Sequence, residues 1–490
     1  MHAVTASEMR ALEEAAFRSG TDAGDLMDRA GTGIARRLLD HFPTPGRAVA
    51  YLGKGNNAGD ALVVLEALRH RGWEVAIRSV HSSTDRSTLT RQRLRRLGIE
   101  ENLSLPHGPG PLLLLDALLG IGASGAPREP LATLASEMNG LRLSRGALVV
   151  GIDLPSGLDA DSGESPEGGV IADLTITVGA PKRGLLADKA VRHVGRLMVV
   201  PLDELRPEPN DGPVLITPES FPGLLPPRSH DFHKGHAGRV AVLAGSTGMS
   251  GAATLAATGA LKGGAGLVTL FLDPDNPART TAEIMVRHSA RRVEHAFDSN
   301  ADALVIGPGL GQPNEPQRDI LFERLADDRR PAVLDADALN LIAAAGRTDL
   351  LREHHLITPH PGEFARLAPD LAGLPRVEAA TRFVARHPCT LLLKGARTVV
   401  AAPDAAPRIN PTGHAGMASG GQGDVLAGVA GALLASRLAP VDAAALAAWL
   451  CGRAAERALT HGDESEQSLT AGDTTRQLGG AFRDWRECRR

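Results

Sequence analysis

Short apolar runs alternate with stretches of helical spacing along most of the chain. RAVAYLG (47–53), WEVAIRSV (73–80), PLLLLDALLG (111–120), ALVVGIDL (147–154), LTITVGA (174–180) and GRLMVVPL (195–202) are nearly continuous in β-branched or leucine residues. That is the pattern of strands buried on both faces. GDALVVLEALRHRG (59–72) is the clearest helix between two of them. Near the N-terminus, Met9, Leu12, Ala15 and Ala16 recur at helical spacing behind Thr5 and Glu8, a capping box. The alternation predicts an α/β fold with a parallel sheet covered by helices on each side. It stops across 201–230, where eight prolines interrupt any period. It restarts with RVAVLAG (239–245), GLVTLFLD (266–273), ADALVIGPG (301–309), PAVLDAD (331–337) and HLITPHPG (355–362), and TLLLKGARTVVAAP (390–403) reads as a hairpin. AGVAGALLASRL and DAAALAAWLCGRAAERAL supply helices. Two α/β domains are predicted, over 1–207 and 228–490, with 208–227 as a proline-rich linker.

Composition narrows the function classes. The chain has 490 residues, 43% hydrophobic and 22% charged, with a net charge of −4. Binding to nucleic acid or a membrane surface favours a basic face, so neither partner is expected. The arginines of RQRLRRLG (91–98) fit the solvated face of a helix. Cys389, Cys451 and Cys488 are too far apart for a disulfide framework or a CxxC metal pattern. No apolar run approaches about 18 residues, and the first residues do not read as a signal peptide. A cytoplasmic protein is expected, as a homo-oligomer.

Open parallel sheets bind ligands outside the carboxyl ends of their strands, which directs attention to the loops there. GKGNNAGDALVV (53–64) follows a strand and opens a helix, whose N-terminus favours an anion. Its spacing is not GxGxxG and no Walker lysine follows; an ordinary tight turn is the alternative. Asp116 ends a strand in LLDALLGIGASGAPREP, and Asp153 ends another in GIDLPSGLDADSG. Either acid could cap a helix. Oxygens of Asn57, Asp116 and Ser156 could instead enclose a hard cation, leaving Asp153 for proton transfer.

The ordered motifs GKGNNAGD, DALLGIG, IDLPSGLDADSG and TITVGAPKRGL resemble those of NAD(P)H-hydrate epimerases, the YjeF N-terminal family, over about residues 1–205. The resemblance implies a Rossmann-like three-layer α/β/α domain that interconverts the R and S forms of hydrated NADH and NADPH. It implies potassium at Asn57, Asp116 and Ser156. Substrate contacts would carry over to Asn56, Asn57, Ala58, Gly59 and Asp60, to Gly120, Ile121, Gly122, Ala123, Ser124, Gly125 and Ala126, and to Asp153. The family pattern has glycines where this chain has Ala58 and Ala61, so two methyl groups are expected to narrow the loop or disturb positive-φ positions.

In the second domain, NPTGHAGMASGGQGDVLAGV (410–429) carries six glycines and one acid, Asp424, ahead of an apolar helix. The backbone N–H groups of Gly421, Gln422 and Gly423 make a directional anion hole suited to a phosphoryl group in flight. Asp424 beside it can accept a proton from an attacking hydroxyl. Mg²⁺, with Lys394 nearby, would supply the positive charge the loop lacks. His360 and Glu363 lie in a strand-to-helix turn. A structural histidine, a helix-start acid and a solvated turn lysine are the alternative readings of His360, Glu363 and Lys394.

The order HKG, GSTGMSGAA, GPGLG, TPHPGE, KGART and GMASGGQGD resembles ADP- or ATP-dependent NAD(P)H-hydrate dehydratases, members of the ribokinase-like fold, over about 228–487. Gln422 stands where that family has threonine. The resemblance implies nucleotide binding by Lys394, Gly395, Ala396, Arg397, Thr398 and Gly423. It implies substrate contacts at Ala252, Gly309, His360 and Asp424, with ADP or ATP as co-substrate. Together the halves resemble fused bifunctional repair enzymes acting on hydrated NADH and NADPH, with Asp424 and Asp153 as the catalytic acids. The alternative is a ribokinase-like small-alcohol kinase joined to a non-catalytic binding module.

Overall fold

The computed structural model describes residues 1–102, 104–123 and 125–487. Ser124 and Cys488 therefore lie outside the described residues. The chain divides into two compact units, Met1–Pro213 and Val214–Arg490.

The first unit holds β1 (Arg47–Leu52), β2 (Glu74–Ser79), β3 (Leu112–Ala117), β4 (Leu148–Ile152), β5 (Leu174–Val178) and β6 (Arg196–Val200). They form one parallel sheet in the order β2-β1-β3-β4-β5-β6. Successive residues of β1 serve opposite faces, as the two-residue strand period requires. Ala48, Ala50 and Leu52 join Ile34, Leu38, Leu62 and Leu65 from helices Ala23–His41 and Asn56–Arg69. Val49 and Tyr51 join Leu134 and Met138 of helix Leu131–Arg145. Because both faces are covered, β3 is buried along its whole length. The expected capping box is present, with Thr5 Oγ1 accepting from Glu8 N–H at 3.1 Å ahead of helix Ala6–Arg18.

The second unit holds β7 (Val214–Leu215), β8 (Arg239–Leu243), β9 (Leu267–Leu272), β10 (Ile284–His288), β11 (Ala303–Ile306), β12 (Ala332–Leu334), β13 (His355–Ile357), β14 (Thr390–Leu393), β15 (Val399–Ala401) and β16 (Arg408–Ile409). Their order is β10-β9-β8-β11-β12-β13-β14-β15-β16-β7. The sheet is parallel up to β14; β14 and β15 are the expected antiparallel hairpin. Val240 and Val242 face a cluster that includes the buried helix Gln422–Ala435. Ala241 and Leu243 face the opposite cluster, shared with helices Glu315–Asp327 and Arg376–Val384.

The segment 208–227 is not simply a linker. Val214 and Leu215 add β7 to the sheet, and Leu215 and Ile216 are fully buried. Proline cannot donate to a ladder, so a short strand behind Pro213 belongs at an edge, where β7 lies.

Apart from the edge strand β7, the strand order reverses once in each sheet. Loops following β1 and β3 flank the reversal in the first unit, and loops following β8 and β11 flank it in the second. Such crevices are where parallel α/β sheets bind ligands. Among the described residues no helix is long and apolar enough to cross a membrane.

Candidate functional sites

In the first unit, the loops at the carboxyl ends of the strands surround a cavity of about 870 Å³. Asn56, Asn57, Asp60, Gly120, Ile121, Gly122, Ala123, Ala126 and Asp153 line it. Ala58 and Gly59 do not, although they were expected to. They lie within helix Asn56–Arg69, with Ala58 buried in the core cluster and Gly59 against Met27. Ala61 is buried in the same cluster, and neither alanine has positive φ. The feared narrowing is therefore absent: helical periodicity turns both methyl groups away from the cavity. Gly125 has φ of +81° and lies off the lining.

Asn57, Asp116 and Ser156 do come together. Asp116 Oδ1 accepts from Ser156 Oγ, and Oδ2 from Ser156 N–H, each at 2.6 Å. Ser156 Oγ accepts from Leu119 N–H at 2.9 Å, and Asn57 Nδ2 donates to Leu119 O at 2.9 Å. Burial pushes the Asp116 carboxyl up to about 6, against the pull of its Ser156 hydrogen bonds. Asn57 Oδ1 is buried without a hydrogen-bond partner. A buried carboxylate served only by neutral donors, beside an orphaned amide oxygen, fits a hard monovalent cation.

Asp153 has φ of +65°, an uncommon backbone state for a residue with a side chain. Its Oδ1 accepts from Lys182 Nζ (2.5 Å), Thr177 Oγ1 (2.9 Å) and Val178 N–H (3.0 Å). Lys182 is only 1% exposed and also donates to Thr177 Oγ1 at 3.0 Å. Burial, followed by the Asp153 and Glu13 carboxylates, raises Asp60 well above the usual carboxylate range, with Lys182 opposing. Burial, followed by Asp153, raises Glu13 too. Sequence reasoning missed both Glu13 and Lys182. Lys182 lay in the quoted TITVGAPKRGL motif, directly after a strand; Glu13, on a remote helix, had no local signal.

In the second unit, helix Gln422–Ala435 begins behind Gly421, whose φ of +91° only glycine adopts freely. Asp424 is in its first turn. Burial, then Asp335, drives the Asp424 carboxyl up to about 6; Lys394 opposes, while Asp337 and Glu363 add to the rise. Lys394 Nζ donates to Asp335 Oδ1 at 2.8 Å and lies 3.8 Å from Glu363 Oε2. These carboxylates are 1% and 6% exposed, so they claim the lysine charge that was expected to be free for phosphate. Gly423 lies over this pair: a Cβ there would stand 3.2 Å from Lys394 Nζ. Between Asp335 and Asp337, Ala336 holds φ of +49°, local strain of the kind that clusters at functional sites. Asp335 and Asp337 escaped sequence reasoning because PAVLDAD reads first as a strand.

His360 caps helix Pro361–Leu367: its Nδ1 accepts from Gly362 N–H (3.0 Å) and Glu363 N–H (3.3 Å). The structural reading of His360 thus holds for Nδ1, and Nε2 of the half-exposed ring lies 3.4 Å from Glu363 Oε1. Gly309 faces Ala252, and a Cβ on Gly309 would come within 3.0 Å of the Ala252 methyl. The turn Gly395–Thr398 closes on itself through Thr398 Oγ1 and Gly395 O at 3.0 Å, with Ala396 exposed and Arg397 buried. Gln422 Nε2 reaches Ser419 Oγ at 3.4 Å, while its Oε1 is buried without a partner. Among the described residues no three His, Cys, Asp or Glu side chains form a metal cage.

Comparison with known proteins covers both units. A family model described as YjeF-related protein N-terminus matches residues 23–184, and one described as NAD(P)H-hydrate dehydratase matches 240–475. A Coxiella burnetii protein named bifunctional NAD(P)H-hydrate repair enzyme Nnr is 36% identical over 93% of this chain and 95% of its own length. An Escherichia coli protein of the same name is 36% identical over 91% and 87%. The structure of an ADP/ATP-dependent NAD(P)H-hydrate dehydratase from Bacillus subtilis, co-crystallised with ATP and Mg²⁺, is 28% identical, covering 56% of this chain and 98% of its own, with a TM-score of 0.47.

Proposed function

This chain belongs to the family of bifunctional NAD(P)H-hydrate repair enzymes, and we propose that its two units divide the repair between the two sites just described. The first unit epimerises the hydrated ring. Asp153, ion-paired with Lys182, takes the proton of the ring hydroxyl. Asp60, which burial keeps protonated beyond the usual range, protonates the ring nitrogen as its bond to the hydroxylated carbon opens. Reclosure from the other face returns both protons and gives the opposite epimer. Asn57, Asp116 and Ser156 would hold potassium, which would neutralise Asp116 and fix the loops that carry Asn57 and Ser156.

The second unit dehydrates the S epimer with ADP or ATP. Asp424 takes the hydroxyl proton while the terminal phosphoryl group passes to that oxygen, and the amides of Gly421–Gly423 receive its spreading charge. Phosphate then leaves as the ring-nitrogen lone pair forms an iminium, and loss of a proton from the adjacent ring carbon to solvent restores the dihydropyridine. Mg²⁺, bound with the nucleotide, would offset the phosphate charge. The observation that carries this reading is Asp424 itself. It is a carboxylate poised near 6 at an amide-lined helix start, suited to accept a proton at neutral pH.

The test is to incubate hydrated NADH with Mg²⁺ and either ADP or ATP and to follow reduced-nicotinamide absorbance. Recovery of both epimers is expected. No recovery with either nucleotide sinks the dehydratase reading. A stable phosphoester accumulating instead would mark a kinase, and recovery that stops at the S fraction would remove the epimerase.

A further inference from the structure

The cavity of the first unit is polarised along its sheet. Glu13, Asp60, Asp153 and Lys182, the proton-handling groups, interact with one another at one end. Lys54 follows β1, His81 follows β2, and Arg128 lies beyond β3; these three strands are contiguous in the sheet, and all three residues line the cavity. Lys54 and Arg128 are exposed there. Burial, then Lys54, holds the His81 ring below its usual range, and its buried Nε2 has no partner. The carboxylates of the same loops are already engaged: Asp85 by the Ser82 hydroxyl and Glu129 by the Thr133 hydroxyl, each at 2.8 Å. Helix Asn56–Arg69 opens between them with no side-chain cap and no acid in its first turn. Lys54, Arg128 and the His81 ring thus line one cavity, shared with the hydroxyl-bonded Glu129, together with the start of the uncapped helix, a combination suited to a phosphate.

We propose that Lys54, His81 and Arg128 form a phosphate-binding subsite that anchors the dinucleotide, with its hydrated ring directed to the acidic end. This rests on reading the cavity as the epimerase site. The phosphate in question is either the bridging diphosphate or the 2′-phosphate that distinguishes NADPH hydrate.

The test uses the full chain carrying Lys54→Gln and Arg128→Gln together. Conversion of pure R epimers of NADH hydrate and NADPH hydrate is followed chromatographically without nucleotide, so the dehydratase plays no part. KM should rise about tenfold or more, with kcat within about twofold of the parent, as expected for lost charge-assisted phosphate contacts. The parent KM should rise with salt, and the variant KM should rise less. A rise confined to NADPH hydrate assigns the subsite to the 2′-phosphate, and an equal rise for both assigns it to the diphosphate. Unchanged KM for both substrates overturns the subsite. Should the parent itself leave pure R epimer untouched, the epimerase reading fails instead. Calorimetric titration with ADP-ribose and its 2′-phosphate then decides the subsite separately, since binding equal in parent and variant overturns it.

Discussion

Asp424 carries a conflict between stability and chemistry. A carboxyl raised from its ordinary value of 3.8 to about 6 opposes folding whenever it is ionised. The cost is on the order of 2–3 kcal/mol at pH 7.5. Below the ordinary value, folded and unfolded chains both bind the proton and the cost vanishes. Asp424→Asn should therefore abolish absorbance recovery and raise the Tm by a few degrees at pH 7.5. That gain should shrink as pH falls from 6 towards 4 in parallel thermal scans. In the parent, kcat/KM for dehydration should fall about tenfold per unit below pH 6, because the base must be free of its proton. Near-normal turnover in the asparagine variant would overturn the base assignment. Lys182 gives the converse case. Replacing it with Met strands the Asp153 carboxylate beside two other acids, Glu13 and Asp60, so a loss of about 3–5 kcal/mol is expected. Adding Asp153→Asn should restore most of that stability without restoring epimerisation, and urea melts of the single and double variants would check it.

Helix Asn56–Arg69 explains an apparent departure from the family motif. Ala58 and Ala61 occupy helical, fully buried positions on the side that packs into the core. Restoring glycine at either position should cost about 1 kcal/mol, or about 2–4 °C in Tm for a unit of this size. Epimerase kcat and KM should stay unchanged. A gain in activity would show that the methyl groups reach the cavity after all. The same element shows where sequence is legible. Strands β1 and β3 were plain because a strand buried on both faces is one continuous apolar run. Strand β10 was not: at the sheet edge, Met285, Arg287 and His288 leave it mostly exposed and without a period. Strands β7 and β16, two residues each, have no period to read. Asn57, Asp116 and Ser156 were legible as candidates because each lies at or just after the end of a strand within a dense motif. Lys182 and Asp335 were not, since the groups that give them meaning, Asp153 and Lys394, lie 29 and 59 residues away.

At the scale of the whole molecule, the first residues of the second unit decide how the chain can be cut. Composition placed a linker over 208–227, whereas Val214 and Leu215 pair with β16 and Ile216 is buried in the core. Phe221, Leu224 and Leu225 pack against the same cluster, and the Arg408 guanidinium sits 4.4 Å from the Phe221 ring centroid. A fragment spanning 214–490 keeps these contacts, and one spanning 228–490 loses them all. Burial of Leu215 and Ile216 alone contributes on the order of 3–6 kcal/mol, a large share of the stability of one unit. The longer fragment should dehydrate S-hydrate at the full-length rate. The shorter should melt at least about 5 °C lower and expose β16 as a new sheet edge prone to association. Thermal melts and light scattering on the two fragments test this directly. Equal melting temperatures would mean that the segment is a passive connector, and that the second domain begins where the proline-rich composition ends.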